Sequence, residues 1–426
     1  MIFLYRVLTN ILYPFLYIFL LIRVLRKKED PKRYKEKIFV KHFNITKSKN
    51  SELLWFHATS VGELKSIIPI IKKINDKKKD YEFLITTTTL SSGGLAETKF
   101  KAFENIKHRF LPLDINFIIE KFLKKWKPEK IFLVDSEIWP NLILKVKEHK
   151  IPIALINARL TKKSLNRWLL FPETARKIFK VFDLCLCSNK ETKNFLRELN
   201  AKNVKYVGNI KFVSDENKKF YENQNVRALS NSRFWVAAST HKEEDILCLK
   251  THIEIKKKYN DIITIIAPRH INRVKKIKNL SESLNLNTQI LNQNDNILQN
   301  KEIIIINSYG ELQNYFLHAK SVFIGKSMIK RLKNDSGQNP IDAAYLNCKV
   351  YHGPHVSNFH EIYEILKNNN ISYQIKNFKE LSENLIFDLN KFQKQNKFSK
   401  SIDLLGKEIF TNTMSTIEIF LNEKSH

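Results

Sequence analysis

The sequence predicts an α/β protein of two Rossmann-like parallel-sheet domains, and three observations lead there. Apolar runs of strand length alternate with helix-period segments between residues 50 and 211. The alternation breaks at a polar stretch, Ser214 to Ser232, and then starts again. At 426 residues the chain exceeds what one ordinary hydrophobic core accommodates. Strand–helix–strand alternation implies parallel pairing, because successive parallel strands need a crossover and the helix supplies it.

In chain order, Met1 to Leu25 comes first, strongly apolar and charged only at Arg6 and Arg23. The uncharged interval Val7 to Ile22 is shorter than the roughly 20 residues a full membrane span prefers. Arg26, Lys27, Lys28, Lys32, Arg33 and Lys35 follow, and no small-residue cleavage site is evident. Residues 1–45 therefore read as an uncleaved membrane anchor, inserted or lying in the interface, with a basic segment, and 46–212 as the first α/β domain. Its strands are Leu53–His57, Glu82–Thr86, Ile131–Asp135, Ile153–Ile156 and Asp183–Cys187. Residues 213–232 read as a linker. The second domain, 233–400, has strands Arg233–Ala238, Ile262–Ala267, Glu302–Ile306, Ser321–Ile324 and Lys349–Tyr351. Residues 401–426 form a last helix that can cross back to the first domain.

Composition narrows the function. The net charge of +30 implies a polyanionic neighbour, although the lysines are spread along the whole chain. No zinc finger or basic-aromatic motif is present, which disfavours nucleic acid. Cys185, Cys187, Cys248 and Cys348 have no framework spacing and suit core packing in a reducing compartment. The spacing of His352, His355 and His360 matches no common metal site, so no metal and no cofactor is expected. Lys326-Ser327 follows Gly325, but Lys320 stands where a P-loop needs glycine. Neither a dinucleotide fingerprint nor a nucleophile elbow occurs.

Two segments carry chemistry. In Trp55-Phe56-His57-Ala58-Thr59-Ser60-Val61-Gly62-Glu63 a buried strand enters a small polar turn that ends in a carboxylate. That strand-to-helix mouth is where open α/β sheets place their sites, and a first-turn carboxylate also suits the helix dipole. Far along the chain, Ser336-Gly337-Gln338-Asn339-Pro340-Ile341-Asp342 brings a loop to a helix start, a place for anions and sugar hydroxyls.

With Thr86 to Thr89, Asp135-Ser136-Glu137-Ile138-Trp139-Pro140, Asn157-Ala158-Arg159-Leu160, Gly208-Asn209-Ile210-Lys211, Ala238-Ser239-Thr240-His241, Ala267-Pro268-Arg269-His270 and Tyr309-Gly310-Glu311-Leu312, these segments resemble the 3-deoxy-D-manno-octulosonate (Kdo) transferases of Gram-negative bacteria. The resemblance runs in order over nearly the whole chain. It implies the GT-B architecture, two Rossmann-like domains facing a cleft. It implies inverting transfer of Kdo from CMP-Kdo to a lipid A precursor at the cytoplasmic side of the inner membrane, with anionic lipids as neighbours. Glu63 is then the base and Lys211 neutralises charge on the donor. Glu137 positions the acceptor or Lys211. Pro268 and Arg269 meet the donor phosphate, and Tyr309, Gly310 and Glu311 contact the nucleotide. Gly337, Gln338, Asn339, Pro340, Ile341 and Asp342 line the same pocket.

The chain departs from the family pattern in places. Asp135 and Asp342 replace glutamates, Asn307 an aspartate, and Lys326 and Ser336 glycines; the loop from Ser327 to Ser336 is longer and more basic. Two other readings fit the residues: a GT-B enzyme with a different nucleotide sugar, and a non-catalytic basic protein of membrane surfaces.

Overall fold

The computed structural model describes residues 1–39, 42, 51–77, 80–213, 224–230, 232–310, 312–391, 394 and 397–423. The chain forms two units, Met1–Asp215 with Gly406–His426, and Glu216–Leu405. Each holds one seven-stranded sheet in which the strand pairs are parallel, with helices as crossovers, so the fold is the GT-B pair of Rossmann-like domains.

The first unit opens with helix α1 (Ile2–Leu25). Then come strand β1 (Glu52–His57), α2 (Val61–Lys77), β2 (Tyr81–Thr87), α3 (Leu90–Phe100), β3 (Ile106–Phe110), α4 (Asn116–Trp126), β4 (Lys130–Val134) and α5 (Pro140–Glu148). Strands β5 (Ile153–Ala158), β6 (Leu184–Cys187) and β7 (Val204–Tyr206) complete the sheet, ordered β3-β2-β1-β4-β5-β6-β7. The order reverses direction between β1 and β4, and this switch point leaves a crevice beyond their carboxyl ends. Trp55, Phe122, Trp126, Phe179 and Phe182 fill the core on one face of the sheet.

In the second unit the strands are β8 (Phe234–Thr240), β9 (Ile263–Pro268), β10 (Thr288–Leu291), β11 (Ile303–Ile306), β12 (Ser321–Ile324), β13 (Lys349–His352) and β14 (Ser372–Gln374). Their order is β10-β11-β9-β8-β12-β13-β14, and the switch point lies between β8 and β12.

All ten strands expected from the sequence form, within two residues of their expected ends. Four others do not show as apolar runs: β3, β7, β10 and β14. Each is an outermost or near-outermost strand, short and partly exposed, and such strands need no continuous apolar run. Residues 214–223 and 231 of the expected linker lie outside the described residues. Within that stretch Gln224–Leu229 is helical, and the Asn225 side chain bonds the backbone of Asp295 and Ile297 in the second unit.

The C-terminal helix Lys397–Asn422 closes the first unit with its later turns. Phe420 packs edge-on to Phe132, and Lys77 Nζ lies 2.5 Å from Glu418 Oε1. Gly406 lets the helix backbone pass against the Ile210–Phe212 turn: a β-carbon at 406 would meet the Phe212 carbonyl oxygen at 2.5 Å. Only a residue without a side chain tolerates that approach.

Substituting Gly406→Ala is expected to lower stability by about 1–3 kcal/mol, the overpacking cost outweighing the better helix propensity of alanine. Gly94, exposed on α3 with nothing within 4 Å of a would-be β-carbon, is the internal control. Gly94→Ala should stabilise by roughly 0.5–1 kcal/mol. Urea unfolding of both variants checks the pair; shifts of the same sign would mean the Gly406 contact is not tight.

Candidate active site

The carboxyl ends of β1 and β4 hold the charged groups of the first unit. β1 ends at His57, and the chain turns through Ala58, Thr59 and Ser60 into α2. Glu63, in the first turn of α2, reaches back. Its Oε2 accepts from the Thr59 backbone N–H at 2.8 Å and its Oε1 from the Ser60 hydroxyl at 2.7 Å. The Ser60 hydroxyl in turn accepts from the Glu63 N–H at 3.3 Å. This is a reciprocal capping box, so the helix-start role is real. It does not exhaust the residue, because Glu63 is half-buried beside two more carboxylates. Burial raises its pKa above the ordinary glutamate value, and the charges of Asp135 and Glu137 add to the rise against the bonds from Ser60 and Thr59. A carboxylate held nearer neutrality accepts a proton more effectively at working pH.

Asp135 follows β4 with φ of 63°, in the left-handed region that costs a residue with a side chain. Its Oδ2 takes the ammonium of Lys211 at 3.0 Å, and both groups are largely shielded from water. Lys211 sits on the short turn Ile210–Phe212. Asn157, at the end of β5 with φ of 52°, anchors that turn: its Oδ1 accepts from the Ile210 N–H at 3.0 Å. Asn209 Oδ1 accepts from the Lys211 N–H at 3.0 Å.

Glu137 is held from the other side. Its Oε2 accepts from Trp139 Nε1 at 2.8 Å and lies 3.2 Å from His57 Nε2. The second ring nitrogen of His57 faces the Thr86 hydroxyl at 2.9 Å, and that hydroxyl accepts from Trp55 Nε1 at 2.8 Å. Burial works to raise the Glu137 pKa, but the bonds from His57, Trp139 and Thr59 win and leave it below the usual carboxylate value. Three neighbouring carboxylates thus differ: Glu63 is pushed toward the proton-accepting range, while Glu137 stays ionised and Asp135 is bound to a lysine. Lys211 is fixed by Asp135, and Glu137 by an imidazole and an indole.

The sequence therefore names Glu63, Glu137 and Lys211, and the fold gathers them at one crevice. It adds His57 and Asp135. His57 lies on the apolar face of a strand, where a histidine is more often a packed core residue. Its partner Glu137 is 80 positions away, so only the pairing of β1 with β4 reveals the contact.

The second unit places its candidates at the carboxyl ends of β8, β9, β11 and β12. Pro268 is buried at the end of β9 and Arg269 just beyond it is exposed, its N–H bonded to the Thr240 carbonyl. Arg273 is committed instead to Asp245 and the Thr240 carbonyl. The rings of His241 and His270 lie 5.8 Å apart. Burial lowers the His241 pKa, and Lys326, His270 and Arg273 lower it further. Arg269, left exposed at this edge, suits a phosphate. Tyr309 and Gly310 are exposed after β11; Glu311 lies outside the described residues.

Glu244, an acid the sequence reading passes over, organises the neighbouring loop. It is fully buried, and its two oxygens accept from the backbone N–H groups of His241, Lys326, Ser327 and Met328 at 2.7–3.0 Å. Gly325 is obligatory beside it, because a β-carbon there would meet the Ser239 carbonyl oxygen at 2.5 Å. Lys326 has φ of 59°, in the left-handed region that glycine adopts at least cost. Gly337 joins the same loop through its N–H to the Lys326 carbonyl. Asn339 is exposed, and Gln338 and Asp342 half-buried. Pro340 and Ile341 are buried and pack rather than present polar groups. The helix Ile341–Tyr345 is short, and the Asn339 side chain takes the Ile341 N–H at 3.1 Å. Among the described residues no group of three His, Cys, Asp or Glu side chains is placed to hold a metal ion. His352 bonds the Gly353 carbonyl and packs on Tyr363.

Comparison with known proteins follows the same lines. A family model described as 3-deoxy-D-manno-octulosonic-acid transferase (kdotransferase) matches residues 32–214. The 3-deoxy-D-manno-octulosonic acid transferase of Rickettsia prowazekii is 30% identical over 434 residues, 92% of either chain. The protein of that name from Haemophilus influenzae is 28% identical over 321 residues, 74% of this chain and 73% of its own. Among solved structures, the UDP-GlcNAc 2-epimerase of Neisseria meningitidis superimposes on 85% of this chain and 100% of its own, with a TM-score of 0.56 and 15% identity, a likeness of fold.

Two outcomes are expected from the carboxylate cluster. Because the folded state raises the Glu63 pKa, this group's stabilising contribution is present in full below the unfolded value, about pH 4, and lost as pH rises through the folded value. Glu63→Gln should therefore melt above the parent at pH 8, and the two should converge near pH 4. Melting curves with a constant offset across that range would remove the case for a strained carboxylate. His57→Ala should free Glu137 to titrate higher and cost about 1.5–3 kcal/mol in transition-state binding, roughly ten- to a hundredfold in kcat. A pH–rate profile should show the acid limb moving up; an unmoved limb with lowered kcat would make His57 a packing residue only.

Proposed function

Because the chain belongs to the Kdo transferase family and is a glycosyltransferase, we propose that it moves Kdo from CMP-Kdo to a phosphorylated lipid A precursor with inversion at the anomeric carbon, working at the cytoplasmic face of the inner membrane. The observation that carries the reading is Glu63: a carboxylate of raised proton affinity, fixed by Thr59 and Ser60 at a sheet switch point, with ionised partners beside it.

The chemistry follows from the groups available. Glu63 takes the proton of the acceptor hydroxyl as its oxygen bonds to the anomeric carbon of Kdo. The bond from that carbon to the phosphate oxygen breaks with its electron pair on cytidine monophosphate. The sugar passes through an oxocarbenium-like state, and single displacement leaves no covalent enzyme intermediate. Glu137 stays charged and positions the acceptor. Lys211, held by Asp135, supplies positive charge against the anionic donor. Arg269 pairs with the leaving phosphate in the forked geometry of a guanidinium. Tyr309, Gly310, Gly337, Gln338, Asn339 and Asp342 surround the nucleotide sugar, Pro340 and Ile341 support that loop, and Glu311, outside the described residues, is assigned to the nucleotide by the family resemblance alone.

Membrane placement rests on different features. Helix α1 is long and apolar, and exposed lysines and arginines follow it. A phosphorylated amphiphilic acceptor and an anionic leaflet both suit a chain of net charge +30.

An assay with CMP-Kdo and a tetra-acylated lipid A precursor in detergent, scored by product mass, should show addition of Kdo. Glu63→Gln should lower kcat roughly a hundred- to ten-thousandfold while nucleotide binding persists. Arg269→Ala should raise the donor KM about ten- to a hundredfold, the worth of a charge-assisted bond. Turnover by Glu63→Gln at the parent rate would defeat the assignment of the base, and an unchanged mass for the parent enzyme would defeat the substrate pair.

A further inference from the structure

Helix α1 has two faces. One carries Tyr5, Arg6, Thr9, Tyr13, Tyr17, Leu20 and Arg23, spaced three or four residues apart. This face is bonded to the first unit along the whole helix. At its start, the Tyr5 hydroxyl donates to Asp114 Oδ2 at 2.9 Å, and Arg6 Nη2 lies 3.0 Å from Glu148 Oε1 at the end of α5. In the middle, Asn141 Nδ2 donates to Thr9 Oγ1 at 3.4 Å, and the ring of Tyr13 meets Phe117 of α4 edge-on at 5.2 Å. Towards its end, Tyr17 packs on Phe39, Leu20 is buried with Tyr34 and Ile38, and Arg23 Nε donates to Glu29 at 2.8 Å. Asp114 also accepts from the Asn141 and Leu142 N–H groups, so the Tyr5 contact reaches a carboxylate already built into the fold.

The opposite face carries Leu4, Leu8, Ile11, Leu12, Phe15, Ile18, Phe19 and Ile22, all exposed; Phe15 is 65% exposed. Arg26, Lys27, Lys28, Lys32 and Lys35, exposed as well, follow the end of the helix.

We propose that α1 is an in-plane anchor: it stays docked on the first unit and lays its apolar stripe into the cytoplasmic leaflet without crossing the bilayer. The proposal rests on the membrane reading above and specifies how the chain meets the lipid. The contacts run from Tyr5 to Arg23, about 27 Å at 1.5 Å per residue. A spanning helix touches its own globular domain at one end only. To span, α1 must give up the Tyr5, Arg6 and Thr9 contacts and carry those groups away from the partners that satisfy them, which a lipid environment does not replace. Lying in the interface keeps every contact, buries the stripe at the headgroup–acyl boundary, and sets the exposed cations against anionic headgroups. That charge match selects an anionic lipid surface as the occupant over a second copy of this cationic chain.

The test uses the full chain in a Gram-negative host, with cysteine introduced singly as Asn10→Cys, Ile2→Cys and Lys27→Cys. The native cysteines are fully buried and are expected to stay silent to maleimide. A membrane-impermeant maleimide is applied to spheroplasts and to inverted inner-membrane vesicles. Asn10→Cys should react in inverted vesicles within about tenfold of the Lys27→Cys rate, and no variant should react in spheroplasts. Labelling of Ile2→Cys in spheroplasts, or protection of Asn10→Cys on both sides, overturns the in-plane placement and leaves membrane residence standing. Recovery of the unsubstituted chain in the soluble fraction, as monomer or as a dimer by light scattering, overturns both.

Discussion

The first unit is organised around keeping negative charge out of bulk water. Glu63, Asp135 and Glu137 converge on the carboxyl ends of β1 and β4, and carboxylates in partial burial repel one another and lose hydration. The fold resolves this by giving each a different partner. Asp135 has a lysine, Glu137 an imidazole and an indole, and Glu63 a backbone amide and a hydroxyl. Glu63 has the weakest compensation, and so it is the one whose proton affinity rises. The chemical inequality of the three follows from unequal hydrogen bonding, and the proposed base is the member left least neutralised.

That arrangement depends on backbone as much as on side chains. Asp135 and Asn157 both turn with positive φ where their strands end, a local cost that the surrounding sheet sustains. Asn157 then fixes the Lys211 turn, and the C-terminal helix presses on the far side of that turn through Gly406. The second unit uses a related device. Glu244 is a buried carboxylate neutralised by four amides instead of by a cation, and it shapes the loop that carries Lys326 and Ser327. In both units a buried acid sets the geometry of a loop at a switch point.

The N-terminal helix is divided in the same way between bonded and unbonded groups. Its polar face is taken up by the first unit, so what remains outward is apolar, and exposed cations follow it. Pro14 and Arg6, awkward in a spanning segment, are unremarkable in a helix lying against protein.

The sequence by itself determined the central strands of both sheets, because strands buried on two faces must be apolar and the helices between them must repeat with a different period. It also marked Glu63, Glu137 and Lys211 through ordered motifs. The outer strands β3, β7, β10 and β14 were illegible for the converse reason: with one side open to water, Ile106-Lys107-His108-Arg109-Phe110 has no pattern that sets it apart from a loop. Only tertiary structure decided which donor meets which acid. His57 and Glu137, Asp135 and Lys211, and Glu244 and the Lys326 backbone N–H are each separated by more than seventy residues, and hydrogen bonds act over ångströms of space without regard to distance along the chain.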